Sequence, residues 1–357
     1  MQIADLGKYT DNIVAALKRI VSVPSPTGYT ARAAREICAM LSECGYKAEI
    51  TNRGNVLCRL GGEGEPLILA AHFDTLGGIV RALKPKGRVR MTSVGGLALG
   101  SYEAENCTLF TRGGTTIGGT LQMIEASSHV AGAALSEKKR TTDEMEVVLD
   151  CGATTPEELS SLGVAAGDFI AFDPRFTEAD GGYIKSRFLD DKASCAVLIA
   201  YAQALSAGDV PAPSRAIWLL FTSHEEVGTG AASGLPDATE FLSVDMGCVG
   251  ADLGCTERMV SVCVADGGGP YDYGMVTRMK QICEENKLPY ALDVYPHYGS
   301  DAGAAVRAGY HMRNGCIGPG VYASHGYERT HREGLLATLR LVAGYAALAP
   351  RGIYDGE

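Results

Sequence analysis

Five short segments hold the residues that could do chemistry: A-H-F-D at 71–74, F-L-D-D-K at 188–192, H-E-E-V-G at 224–228, S-V-D-M-G at 243–247 and S-H-G-Y at 324–327. Together they supply imidazoles from His72 and His325, carboxylates from Asp190, Glu226 and Asp245, and one spare carboxylate, Glu225, directly beside a candidate ligand. That inventory suits two divalent cations. Such ions repel each other when a few ångströms apart and need a shared anion, which a short side chain such as Asp190 can provide. Each ion then keeps one imidazole and one further carboxylate: His72 with Asp245, and His325 with Glu226. The mixed nitrogen and oxygen set favours Zn or Co and tolerates Mn. Such a pair lowers the pKa of a water held between the ions to roughly 7. Glu225 can take the proton and pass it on.

Spacing within the segments adds to this. In H-x-D on an extended strand, His72 and Asp74 share a face, so Asp74 is expected to steady the imidazole. Glu225 and Glu226 are adjacent and project to different sides, so one can bind metal while the other serves as base. Taken singly, each segment also has a plainer reading: an acidic pair is usually a solvated surface, and Asp190 or Asp191 could cap a helix. What joins them is that the apolar runs L-I-L-A-A, A-I-W-L-L-F-T and F-L-S-V read as buried strands ending at His72, His224 and Asp245. In open α/β sheets, ligands gather beyond the carboxyl ends of the strands.

The elements that must position these residues follow from hydrophobic periodicity. Residues 8–22 have helical spacing, with Ile13, Ala16, Leu17, Ile20 and Val21 on one face, and a second helix is expected over about 29–44. Short strands lead to His72. From 77 to 180 the chain changes to short β-rich runs with many glycines, which predicts an inserted β domain or barrel whose glycines serve turns and bulges rather than a phosphate loop. After 181, helix and strand alternate again: a helix from Asp190, strands ending at His224 and Asp245, and helices near 272–287 and 332–348. The expected fold class is α/β, a three-layer catalytic domain with a mixed sheet formed by 1–76 and 181–357, plus the small β domain at 77–180.

Composition narrows the function classes. At 357 residues the chain exceeds a single core. Its net charge of −10 argues against a nucleic-acid partner, and against acidic peptides unless the pocket itself is cationic. Eleven cysteines without a C-x-x-C pair point to a reducing compartment. The expected location is cytoplasmic: the amino terminus lacks a secretory pattern, and no apolar run reaches the roughly 20 residues needed to span a bilayer.

The chain resembles the tetrahedral aminopeptidases, the forty-second family of metallopeptidases. The resemblance covers nearly the whole length, through P-S-P-T-G-Y-T at 24–30, A-H-F-D, S-R-F-L-D-D-K at 186–192, E-E-V-G, V-D-M-G, G-P-Y-D-Y at 269–273, G-S-D-A at 299–302 and the final A-S-H-G-Y-E. It implies His72, Asp190, Glu226, Asp245 and His325 as ligands of two metal ions, with Asp190 bridging, Glu225 as catalytic base, and a cis peptide after Asp190. It further implies amino-terminal trimming of short peptides inside a homo-oligomeric, dodecameric tetrahedral shell. The chain departs from the family pattern at Thr75, where Glu is frequent, and at His224, where a smaller polar residue is usual. Both departures leave the preferred first residue open. Asp301, His224 and Arg329 are candidate substrate contacts, and Asp301 suits a turn equally well. The rival activities are amidase or deacylase action on a small acylated amino acid, glycoside hydrolysis, and a non-catalytic scaffold. The glycosidase is disfavoured because the obvious acids are taken as ligands. The scaffold is disfavoured because it has no use for Glu225.

Overall fold

The apolar stripe of the first helix is the one a 3.6-residue period predicts: Thr10–Val21 buries Ile13, Val14, Ala16, Leu17, Ile20 and Val21. It packs on the Leu189–Ser206 helix, whose residues are buried on almost every side. A helix that is apolar all round belongs in an interior. The lysine of D-D-K is part of this packing. Lys192 is buried and donates from Nζ to the carbonyls of Ile20, at 3.2 Å, and Val23, at 2.9 Å, satisfying groups at the end of the first helix.

The computed structural model describes residues 2–349 and divides into two compact units. The larger comprises 2–23, 30–74 and 175–349; the smaller comprises 24–29 and 75–174. The larger unit is mixed α/β. Its sheet, thirteen strands among the described residues, has Leu67–His72 in its middle, parallel to Ile217–Thr222 on one side and Glu240–Val244 on the other. Glu240–Val244 pairs in parallel with Arg313–Tyr322. Central parallel strands are covered on both faces, so they read as continuous apolar runs. Every residue of Leu67–His72 and of Glu240–Val244 is buried. Antiparallel strands complete the edges, including Val56–Gly61 beside Ile217–Thr222 and Tyr183–Ser186 beside Glu328–His331. Helices Tyr273–Glu285 and Arg332–Ala346 start at side-chain caps: Asp272 accepts the Met275 N–H and His331 Nδ1 that of Glu333.

The smaller unit is a closed barrel of six antiparallel strands: Gly77–Lys84, Arg88–Val94, Met145–Leu149, Thr116–Met123, Asn106–Phe110 and Phe169–Phe172. Of its glycine-rich runs, Gly114 lies in a turn at φ +88°, as expected, whereas Gly119 lies within a strand and serves close packing: a Cβ there would lie 2.8 Å from the Val148 carbonyl oxygen. The boundaries differ from the 77–180 expected from composition. Residues 24–29 join this unit because Thr75 N–H donates to Ser25 O and Thr27 N–H to Thr75 O. At the other end, Thr177–Glu178 pairs with Tyr183–Ser186, which carries 175–180 into the large sheet. All eleven cysteines are free thiols. Among the described residues no helix is long and apolar enough to cross a membrane.

Candidate active site

Three parallel strands deliver their carboxyl ends to one place. His72 closes Leu67–His72 and sits opposite Thr222; Asp245 follows directly on Glu240–Val244. Glu225 and Glu226 lie just past Ile217–Thr222, in a single 3-10 turn, Glu225–Val227, closed by Gly228 at φ +76°. Asp190 comes from the irregular start of the Leu189–Ser206 helix, where the Asp190–Asp191 peptide is cis. His325 comes from the loop after Arg313–Tyr322.

Two triads result. Ligand-type atoms of His72, Asp190 and Asp245 lie within 4.8 Å of one another, as do those of Asp190, Glu226 and His325. Asp190 belongs to both. Its Oδ1 is 3.1 Å from His72 Nε2 and its Oδ2 3.5 Å from His325 Nε2, while His325 Nε2 is 3.5 Å from Glu226 Oε2. Glu225 stands on the other side of the turn, with Oε2 3.8 Å from His72 Nε2.

Asp74 does more than the H-x-D spacing suggests. The strand ends at His72, and the closest partner of His72 Nδ1 is the Asp74 backbone carbonyl, at 3.1 Å, with the carboxylate Oδ1 at 3.6 Å. The Asp74 carboxylate instead accepts the backbone N–H of Glu225, at 3.1 Å, and of Glu226, at 3.3 Å. It thereby fixes the turn from which the two glutamates diverge. Two acids missed in the sequence have parallel duties. Glu328 accepts the N–H of Asp190, at 3.1 Å, and of His325, at 3.0 Å. Asp191 accepts that of His72, at 3.2 Å. Glu328 sits in the quoted S-H-G-Y-E run, but its action through two backbone amides left no spacing signal.

The electrostatics call for cations. Burial raises the carboxyl groups of Glu225 and Glu226 well above their usual range, and it pushes Asp245 up to about 7. Burial also works against charge on His72, but the hydrogen bond to Asp190 and the charges of Glu225 and Asp245 offset it and hold the imidazole well up. Buried carboxylates are stable only when paired or bound to metal. Two divalent ions fit this donor set: oxygen and imidazole nitrogen, in two groups sharing one carboxylate.

The site opens into a cavity of about 400 Å³ lined by Asp190, Glu225, Glu226, Asp245 and His325, and beyond them by Met246, Cys248, His297, Tyr298, Ser324 and Arg307. The three residues expected to touch substrate do not line it. Asp301 is 3% exposed and belongs to a helix, Asp301–Arg307, rather than a turn. Its carboxylate accepts the Thr222 hydroxyl and, at 2.8 Å, the Ala231 N–H. Arg329 is paired with Glu257 and lies over the Tyr183 ring. His224 Nδ1 is 2.9 Å from Ser223 Oγ. Thr75 is buried and its hydroxyl donates to the Leu76 carbonyl.

The sequence matches the family described as M42 glutamyl aminopeptidase over residues 54–341. It is 38% identical, over 92% of this chain and 95% of the other, to YhfE of Bacillus subtilis (strain 168), a protein provisionally named as an aminopeptidase. The fold is that of a TET aminopeptidase from a marine sediment archaeon, Thaumarchaeota archaeon SCGC AB-539-E09, with TM-score 0.84, 18% identity, and 94% and 96% of the two chains covered. It is likewise that of the Pyrococcus horikoshii TET1 peptidase, with TM-score 0.80, 21% identity, and 94% and 99% covered. The latter is described as assembling into a tetrahedron or a large octahedral shell.

Proposed function

This chain belongs to the M42 family of glutamyl aminopeptidases and is a metal-dependent aminopeptidase; from that premise we propose that it removes amino-terminal residues from short peptides with Glu225 as general base. His72, Asp190 and Asp245 would hold one divalent ion, and Asp190, Glu226 and His325 a second, Zn or Co, with Mn as the further candidate. When bound, such a pair polarises the scissile carbonyl and acidifies a water. Glu225 takes the proton of the attacking water and returns it to the leaving amine. Asp74 keeps Glu225 and Glu226 apart by gripping their amides. The substrate's free α-amine binds beside the ligand cluster. The observation that carries this reading is the pair of triads sharing Asp190, with an unshared carboxylate on the same cavity.

The enzyme acts as a homo-oligomer in the cytoplasm, with the barrel of residues 75–174 serving assembly and substrate access. A tetrahedral dodecamer is supported by the tetrahedron described for the Pyrococcus horikoshii TET1 peptidase and by the dodecamer described for PhTET1-12s. An amidase acting on a small acylated amino acid would use the same residues, and it is separated by substrate alone. The test is a panel of aminoacyl anilides, free and acetylated, given to metal-stripped protein refilled with Zn, Co or Mn. The expected result is cleavage of free amines only, lost in Glu225→Gln. Preference for acetylated substrates would move the chain to the amidase reading.

A further inference from the structure

We propose that Arg307 captures a carboxylate of the substrate and so decides which peptides the cavity accepts. The proposal rests on the aminopeptidase reading and concerns the same cavity. Four carboxylates line that cavity, Asp190, Glu225, Glu226 and Asp245, and two divalent ions balance them. The surplus charge on the wall is then the Arg307 guanidinium, with the His297 imidazole as a neighbouring donor. A cationic wall in a chain of net charge −10 needs a reason.

The structure leaves this guanidinium free for a ligand. Several arginines of the same unit are committed: Arg215 and Arg313 to Glu240, Arg329 to Glu257, Arg332 to Asp11 and Glu178. Arg307 has no ion pair among the described residues, and it is exposed. Its side chain runs back over the preceding turn, as long side chains on helices do. A Cβ on Gly303 would lie 3.1 Å from Nη1, and one on Gly268 would lie 3.4 Å away. Two glycines thus give the group its place. Asp266, which shares the Gly268 neighbourhood, is engaged by the Gly268 N–H and the Tyr271 hydroxyl.

The helix that carries Arg307 is tied to the strands that carry the ligands. Asp301 bonds Thr222 at the end of Ile217–Thr222, and the Ala302 N–H donates to Ser243 Oγ, at 3.1 Å, within Glu240–Val244. Asp301 is therefore a positioning residue for the helix that carries Arg307. An arginine fork matches a carboxylate with two parallel hydrogen bonds. A short peptide offers that group from two sources: the side chain of an acidic first residue, or its own carboxyl terminus.

The test uses the full chain loaded with Zn or Co and four substrates: glutamyl and alanyl p-nitroanilide, and alanyl-alanine with its amide. For Arg307→Gln the expected result is a kcat/KM lower by about 10- to 100-fold, chiefly through KM, on a carboxylate-bearing member, with its neutral counterpart unchanged. Loss on the glutamyl anilide assigns the side chain; loss on alanyl-alanine but not its amide assigns the carboxyl terminus. Arg307→Lys retains part of the discrimination. Gly303→Ala, which crowds the guanidinium without removing its charge, gives a smaller loss in the same direction. Equal effects on all four substrates, or none, overturn the role of Arg307 while leaving the aminopeptidase intact. Wild-type silence on all four overturns both readings. Unchanged thermal unfolding of Arg307→Gln excludes a folding defect.

Discussion

His72 and His325 are held in opposite ways. His72 ends a fully buried central strand and is 2% exposed; its ring meets the Asp74 carbonyl and its amide meets Asp191. His325 is 37% exposed, lies in a loop at φ +62°, and has its amide fixed by Glu328. The sheet builds one half of the cluster as part of the core. In the other half His325 comes from a loop, with its amide on Glu328, beside the shared Asp190 and the Glu226 of the turn that Asp74 fixes. A ligand set into a sheet is pre-organised at no further ordering cost, whereas a loop ligand must be ordered on binding. The His325 half is therefore expected to hold its ion less firmly and to exchange it first.

The strongest way to break this contrast is to remove what the halves share. Asp190→Ala should abolish activity, by at least about 10⁴-fold given the contribution of a two-metal pair, and should drop metal content, read by mass spectrometry, in both halves together. Glu225→Gln should cost about 10²- to 10⁴-fold in kcat and leave metal content unchanged, which separates the base from the ligands. Stripping the metals should then sharpen the contrast. At free ion a thousandfold above Kd, each ion contributes about 4 kcal/mol of stability, so calorimetry during a chelator titration should show Tm falling in two steps. The first step should be absent in His325→Ala. Smaller effects belong to the supporting carboxylates, where losses of about 10- to 100-fold are usual. Glu328→Gln can no longer accept two N–H groups and should weaken the ion of the His325 triad more than the other, since Asp190 serves both. Asp74→Asn should lower kcat and loosen the ion of the Glu226 triad, because it frees the Glu225–Glu226 turn.

The chemical residue types and their chain order were legible because His72, the Glu225–Glu226 pair and Asp245 close or follow apolar runs, and those three runs lie side by side in the sheet. The first, second and last helices, Thr10–Val21, Ala31–Glu43 and Arg332–Ala346, follow their periodic stripes within two residues. What stayed hidden acts across the chain. Glu328 and Asp74 work through backbone amides, which no side-chain pattern announces. Asp301 read as a turn or a pocket residue because nothing local reveals that Thr222 and Ala231 meet it. Residues 24–29 join the barrel through hydrogen bonds to Thr75, a pairing invisible to composition. Arg307 has no motif at all; only the cavity lining brings it together with Glu225.

A shared two-metal site serving a free-amine substrate is tested most simply by titrating metal-stripped protein with Co, following both the visible absorption of the ion and hydrolysis of an alanyl anilide beside its acetylated form. Activity on the free amine should reach its plateau at two ions per chain, with the acetylated form untouched. A plateau at one ion, or cleavage of the acetylated substrate at a similar rate, would contradict it.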